Sequence, residues 1–132
     1  MDEHSLQVLE LGAIRGLLAE ETAFAGGRAL AEELAPSTDH ATVRRRQAET
    51  AEAVLLLAAG GPRLAGAHDV RTAAVAATRA AMLQPDALAA IAETTRTALD
   101  ARRLLDERDD APLLAEVVRV VAPALEGLAG RG

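Results

Sequence analysis

Residues 22–57 read TAFAGGRALAEELAPSTDHATVRRRQAETAEAVLLL, and this stretch decides the fold. It predicts a short apolar helix that stops before Pro36, because the residue preceding a proline is steered away from helical geometry. Thr38 or Asp39 then offers a side-chain oxygen to the free amides of a second, Arg- and Glu-rich helix that runs to about Ala59. The stretch is therefore predicted to form a helix, a tight corner and a second helix.

Apolar residues recur at helical spacing before this corner. A short N-terminal helical turn is predicted with Ser5 as its N-cap. Gly26 and Gly27 are expected to end the next helix, because glycine adopts the left-handed conformation that closes helices. The helix over residues 10–22 has one stripe of apolar residues that we expect to be buried: Leu11, Ile14, Leu17 and Leu18. In the short helix that follows, Leu30 and Leu34 are expected to be buried as well.

The pattern continues after the corner. The inner face of the long helix is predicted to comprise Val43, Gln47, Ala51, Val54, Leu55 and Ala58. An Ala-rich helix is expected over residues 69–82, and Pro85 is expected at the first position of the next helix, where proline is well tolerated. That helix carries a stripe of Leu88, Ile91, Ala92, Thr95, Ala98, Leu99 and Arg102. Pro112 opens a last helix, and Pro123 should kink or end it.

Composition indicates an all-α protein. Ala, Leu, Arg and Glu are strong helix formers, half of the 132 residues are apolar, and Phe24 is the single aromatic residue. The length fits one helical domain over residues 1–132, an irregular bundle of about five to six helices with a frayed tail at 127–132. Small side chains bury little apolar area each, so we expect modest stability for the chain alone.

Several kinds of site are not expected. The chain has no cysteine, and all 14 basic residues are arginine, so neither a thiolate site nor the lysine of a phosphate-binding G-x4-G-K-[ST] loop is present. His4, His40 and His68 lack metal-site spacing. The N-terminus has no signal-peptide character, and no apolar run is long enough to cross a bilayer. The sequence thus predicts no catalytic residue, cofactor, metal ion or membrane contact.

Arg28, Arg44 and Arg45 are candidates for nucleic-acid contact. Arg44 and Arg45 belong to the dense basic run at residues 44–46, and Arg28 or Arg71 could join them from elsewhere in the chain. Consecutive helical residues fan out by about 100°, so that run cannot form one tight patch. The net charge of −6 also disfavours a domain whose main task is to grip phosphate. A solvated face paired with neighbouring glutamates is the more ordinary interpretation.

The last helix offers a candidate interaction face, formed by Leu114, Val117, Val118, Val121 and Leu125. Its ordinary interpretation is packing in the core. The alternative is that part of the face is exposed and forms a homodimer or another protein contact.

Five segments, in order, resemble the type-2, Smr-bearing branch of the MutS family of DNA mismatch-repair ATPases. That branch typically contains the patterns G-R-x-L-A-x-x-L-x-P-S-T-D and E-T-x-E-A, which residues 27–39 and 49–53 match. Residues 6–22, LQVLELGAIRGLLAEET, follow its usual opening pattern. Residues 67–71 and 83–104 echo two later segments. The chain departs from the family at Gly12 and at residues 80–82.

The resemblance implies a place at the start of a helical core and lever region, with the ATPase and nuclease domains elsewhere in the parent protein. It implies a non-catalytic scaffold or transmission role in the cytoplasm. The expected partners are the remainder of a MutS-like ATPase or another helical surface. DNA or stalled ribosomes would be reached only through the parent protein. A fragment, a truncated product and a stand-alone relative are all compatible with the sequence, and a stand-alone dimerisation module is the alternative function.

Overall fold

Seven helices form within residues 2–119, the part of the chain that the computed structural model describes. They are α1 (Glu3–Val8), α2 (Leu11–Glu20), α3 (Ala25–Glu32), α4 (His40–Ala58), α5 (Arg71–Thr78), α6 (Pro85–Asp106) and α7 (Pro112–Val118). This range contains no β-strand, which confirms the all-α class. There is one helix more than predicted, because the N-terminal turn is a helix of its own. The predictions for Pro123 and for the tail at 127–132 lie outside the described residues.

The N-terminal cap was assigned to the wrong residue. Asp2, not Ser5, caps α1: its carboxylate accepts a hydrogen bond of 2.8 Å from the Ser5 amide. Ser5 is thus the third residue of the helix, where its amide is one of the free donors that a cap must satisfy. The joint between α1 and α2 falls at Glu10, whose φ of 55° is left-handed.

Gly26 and Gly27 lie in the first turn of α3 and do not end α2, which corrects the prediction. The glycine at position 26 is needed for packing. A Cβ atom there would lie 2.6 Å from Cε2 of Phe24, because the Phe24 ring folds over this turn. Position 26 thus uses the small size of glycine rather than its conformational freedom in φ.

Two glycine substitutions should therefore have opposite effects. We expect Gly26→Ala to destabilise the chain, because the added methyl group clashes with the Phe24 ring. Gly16→Ala should stabilise it by about 0.5–1 kcal/mol, because Gly16 lies in the middle of α2 with nothing within 4 Å of the added methyl group. Urea unfolding followed by circular dichroism measures both. Equal effects of the two substitutions would contradict the packing role of Gly26.

The predicted corner between α3 and α4 is confirmed. Asp39 caps α4, with its Oδ2 accepting hydrogen bonds from the Thr42 amide at 2.9 Å and from the Thr42 hydroxyl at 2.6 Å. These bonds hold the pKa of Asp39 below its ordinary value. Arg15 of α2 and Arg46 of α4 donate to the carbonyls of Leu34 and Ala35, at 2.5 and 2.8 Å. The corner is thus held from both sides through its backbone.

Buried residues of α4, α6 and α7 form the core cluster. It consists of Leu56, Leu105, Ala111 and Ala115, with Leu104, Leu114 and Val118 packed against it. The predicted inner face of α4 was largely wrong. Val43 is half-buried, but Gln47, Ala51, Val54, Leu55 and Ala58 are exposed, and Leu56 is the buried residue. Residues 54–57 are four consecutive large apolar residues, and each points in a different direction from the helix axis. The sequence pattern therefore does not indicate which of them faces the core.

The stripe predicted on α6 is mostly confirmed. Leu99 is buried, and Ile91, Thr95, Ala98 and Arg102 are half-buried. Leu88 and Ala92 are exposed. Pro85 and Pro112 occupy the first turns of α6 and α7, as predicted.

Contacts between helices fall into two groups in the described part of the chain. α2 packs on α1 and α3, and α7 packs on α4 and α6, with α5 against α6. Within residues 2–119, the backbone of no helix in the first group comes close to that of a helix in the second. None of the described helices combines the length and the apolar character needed to cross a membrane.

Candidate functional site

Large apolar side chains lie exposed on α2 and α3. The exposed fraction is 66% for Leu17, 52% for Ile14 and 73% for Leu30. Leu18 and Leu34 are exposed as well. The prediction that these residues are buried was therefore wrong, and only Leu11 of that set is half-buried.

The α2–α3 contact explains this exposure. The residues of α2 that lose contact with solvent are Leu11, Arg15 and Ala19, spaced by four, with Ala19 only 2% exposed. On α3 the buried residue is Ala31. The side of α2 that is shielded from solvent thus carries Ala19 and the half-buried Leu11 and Arg15, while Ile14, Leu17 and Leu18 are exposed.

The structure separates the three candidate nucleic-acid residues into different environments. Arg28 pairs with Glu32 at 3.0 Å, and Arg45 pairs with Glu49 at 2.9 Å and with Glu116 of α7 at 3.5 Å. The bond to Glu49 and the charge of Glu116 raise the pKa of Arg45. Arg44 is exposed. Two of the three candidates are thus engaged with glutamates, and nucleic-acid contact by the set remains a prediction.

The candidate face on the last helix is divided between core and surface. Leu114 and Val118 are half-buried and pack against the core cluster, while Val117 is 50% exposed. Val121 and Leu125 lie outside the described residues. The described part of this face therefore contributes mainly to the core.

A tertiary cap on α7 was not predicted. The Glu52 carboxylate of α4 accepts hydrogen bonds from the backbone amides of Leu113 and Leu114, at 3.1 and 2.9 Å. Ala111, the residue in the N-cap position of α7, provides no side-chain cap. The lack of a local cap was the sequence signal for this contact, because the free amides at a helix start need a hydrogen-bond acceptor from another part of the protein. The sequence did not indicate which residue would supply it.

A second unpredicted contact anchors the loop before α5. The His68 amide donates to Oγ1 of Thr94 at 2.9 Å, and Nε2 of His68 lies 2.8 Å from Oε2 of Glu93. Gly66 allows the loop to approach α6, since a Cβ there would lie 2.6 Å from Oγ1 of Thr97. These contacts hold the loop on the surface of α6.

One cleft, of about 430 Å³, lies between α5 and the start of α6. Its lining is mostly apolar, and Asp69 is the ionisable residue in it. The guanidinium of Arg71 bonds both carboxylate oxygens of Asp69, at 2.9 and 2.8 Å, and these bonds lower the pKa of Asp69 to about 2. A carboxylate that is paired and so weakly basic does not act as a general base near neutral pH.

Metal binding finds no support in the described range. Within residues 2–119, no three His, Cys, Asp or Glu side chains are grouped so that they could hold a metal ion.

Comparisons with known proteins give one consistent result. The endonuclease MutS2 of Symbiobacterium thermophilum is 39% identical to this chain over 122 residues, which cover 92% of this chain and 15% of the relative. The MutS2 endonucleases of Clostridioides difficile and Clostridium botulinum are 32% and 30% identical, over 95% and 97% of this chain and 16% of each relative. No protein-family model and no solved structure matches.

The chain therefore spans about 15% of the length of the curated relatives that it matches. Similarity over nearly all of its residues confirms the resemblance indicated by the five sequence segments. This chain is related by homology to the MutS2 family and corresponds to one part of those longer proteins.

Proposed function

We propose that this chain acts as a non-catalytic helical scaffold within a MutS-like protein, in which it packs against other domains and transmits their movements. The observation that carries the proposal is the exposure of large apolar side chains on α2 and α3, although these two helices pack against each other. Such surfaces mark sites of contact with other protein. The proposed partner is the remainder of a MutS-like ATPase, and the similarity of this chain to one part of a much longer protein supports that choice.

The target of the whole protein is part of the same proposal. By analogy with the MutS-like family, the parent protein would work on DNA in mismatch repair, or on stalled ribosomes, in the cytoplasm. This chain would contribute through its contacts and would need neither a cofactor nor a bound metal ion.

Two measurements test the scaffold role. The 132-residue chain alone should neither hydrolyse ATP nor cleave DNA. A chimera of the S. thermophilum MutS2, in which this chain replaces the matching residues, should keep the DNA cleavage of that relative. Turnover that increases with the concentration of this chain and is lost on substituting one of its own residues would contradict the proposal. Loss of cleavage in a chimera that is folded would do so too.

A stand-alone module that dimerises through α7 is the second candidate function, and the exposure of Val117 favours it. We expect a monomer instead, because Leu114 and Val118 are already used in the core. Sedimentation velocity from micromolar to near-millimolar concentration measures this. A dimer that Val117→Asp dissociates would establish the alternative function.

Direct nucleic-acid contact is the least favoured function. We expect the double charge reversal Arg44→Glu and Arg45→Glu to leave the affinity for a DNA duplex at low salt unchanged, since Arg45 is held by two glutamates and the chain is acidic. The matched control reverses Arg63 and Arg79, which are exposed elsewhere. A loss of affinity specific to Arg44 and Arg45 would instead assign DNA contact to this helix.

A further inference from the structure

The exposed apolar surface of α2 has a charge pattern of its own. Ile14, Leu17 and Leu18 lie on one side of the helix, since residues three and four apart share a face. Glu10 precedes the helix, and Glu20 and Glu21 stand at its end, all of them exposed. The α2 stripe, as we name these six residues, is thus an apolar centre with acidic ends.

The charges around the α2 stripe are distributed unevenly along the chain. Residues 2–35 contain seven acidic residues and two arginines, so this quarter of the chain carries a net charge of −5 out of −6. Both arginines are engaged, Arg15 with the Leu34 carbonyl and Arg28 with Glu32. None of the ion pairs among the described residues involves Glu10, Glu20 or Glu21. The acidic ends therefore remain available to an incoming positive charge.

A second copy of this chain is a poor occupant for the α2 stripe. Two such stripes placed face to face would bring glutamates against glutamates while excluding water, and like charges brought together in this way are unfavourable. An occupant that covers Ile14 and Leu17 and also neutralises the acidic ends must be apolar along its centre and basic at its flanks. The length of α2, about 15 Å for ten residues, matches two to three turns of a helix.

We propose that the α2 stripe is the docking site for a basic amphipathic helix, with Lys or Arg flanking its apolar residues, that is supplied by the remainder of the MutS-like protein. This inference rests on the proposed scaffold function. It specifies which face of the chain binds the partner and what chemistry the partner has. Apolar contact with Ile14, Leu17 and Leu18 stabilises the complex, and the glutamates select the sign of the charge on the partner.

Three designed helical peptides test the chemistry of the α2 stripe on the 132-residue chain. The first peptide has apolar residues at i, i+3, i+4 and i+7 and lysines at both ends. The second has the same apolar residues and glutamates at both ends. The third keeps the lysines but has serine in place of the apolar residues. Heteronuclear NMR titration should show binding of the first peptide, with the largest shifts in α2. Affinities for the other two should be at least tenfold weaker. Equal affinity for all three, or tighter binding of the glutamate peptide, would overturn the proposal.

Matched variants locate the binding site. Leu17→Ser should weaken binding of the first peptide at least tenfold, whereas Leu57→Ser on α4 should not, although the two leucines are 66% and 69% exposed. Since both side chains are largely exposed, both variants should keep the circular dichroism spectrum of the parent chain. Equal weakening by the two substitutions would show a general affinity for apolar surface and would refute the proposal.

The source of the helix is tested in the folded chimera. A photo-crosslinking amino acid at position 17 should join this chain to a Lys- or Arg-flanked apolar helix of the same polypeptide. Crosslinking between two copies, to an acidic segment or to none would contradict the proposal. Peptide binding does not depend on the chimera, so it can fail while DNA cleavage by the chimera is retained. Failure of the docking proposal is therefore distinguishable from failure of the scaffold role.

Discussion

Leu56→Ala is expected to cost about 2–4 kcal/mol of unfolding free energy, the largest single effect that the structure predicts. The Leu56 side chain is 4% exposed and lies in the core cluster with Leu105, Ala111 and Ala115. Two of its three neighbours in the cluster are alanines. Their side chains are too short to extend into the space that the lost isobutyl group leaves. Any filling of the cavity would have to come from Leu105 and from the half-buried Leu104, Leu114 and Val118 that pack against the cluster. Urea unfolding followed by circular dichroism measures the loss.

The neighbouring leucine provides the control. Leu57 belongs to the same helix and the same apolar run but is 69% exposed, so Leu57→Ala should change stability by no more than about 0.5 kcal/mol. The two variants have the same composition and nearly the same helix propensity. If Leu57→Ala were the more damaging substitution, the rotation of α4 described here would be wrong.

Glu52→Ala is expected to cost about 1–3 kcal/mol, although the residue lies in the middle of a helix and forms none of the ion pairs described above. Its carboxylate accepts hydrogen bonds from two amides at the start of α7, a helix without a local side-chain cap. Removing the carboxylate leaves both amides without that acceptor in a half-buried site. It also removes a negative charge from the positive end of the α7 dipole. Thermal or urea unfolding measures the loss.

Two further variants make this test specific. Glu52→Gln keeps one of the two acceptor oxygens, so its cost should fall between zero and that of Glu52→Ala. Glu32→Ala breaks an exposed ion pair with Arg28, which contributes little in water, and should cost less than about 0.5 kcal/mol. Should Glu52→Ala prove no more harmful than Glu32→Ala, the carboxylate would have no capping role.

Local rules predicted the ends of many helices. Pro85 and Pro112 open α6 and α7, Asp39 caps α4, and the corner at Pro36 separates α3 from α4, all as the sequence indicated. Each of these features depends on the geometry of a few neighbouring residues. The local rules failed at Ser5, because Asp2 supplies the cap, and at Gly26 and Gly27, which lie in the first turn of α3.

The surfaces were harder to predict than the helices. Hydrophobic periodicity placed Leu17 and Leu30 in the interior, because a stripe of leucines normally packs against the rest of its own domain. In the structure α2 packs against α3, yet Ala19 and Ala31 are the buried residues of these helices and the two leucines are exposed. The periodicity of hydrophobic residues predicts which residues share a face of a helix. It does not report which face another element will cover.

The all-α class, the order of the helices, most of their start signals and the relation to the type-2 MutS branch could all be predicted from the amino-acid sequence. These features follow from interactions within a few residues, or from segment order along the chain. Only the tertiary structure decided that Leu56 rather than Val54 or Leu55 enters the core, that Glu52 caps α7, and that the α2 stripe is exposed. Those outcomes depend on the rotation and pairing of whole helices, which are set by contacts between residues far apart in the chain.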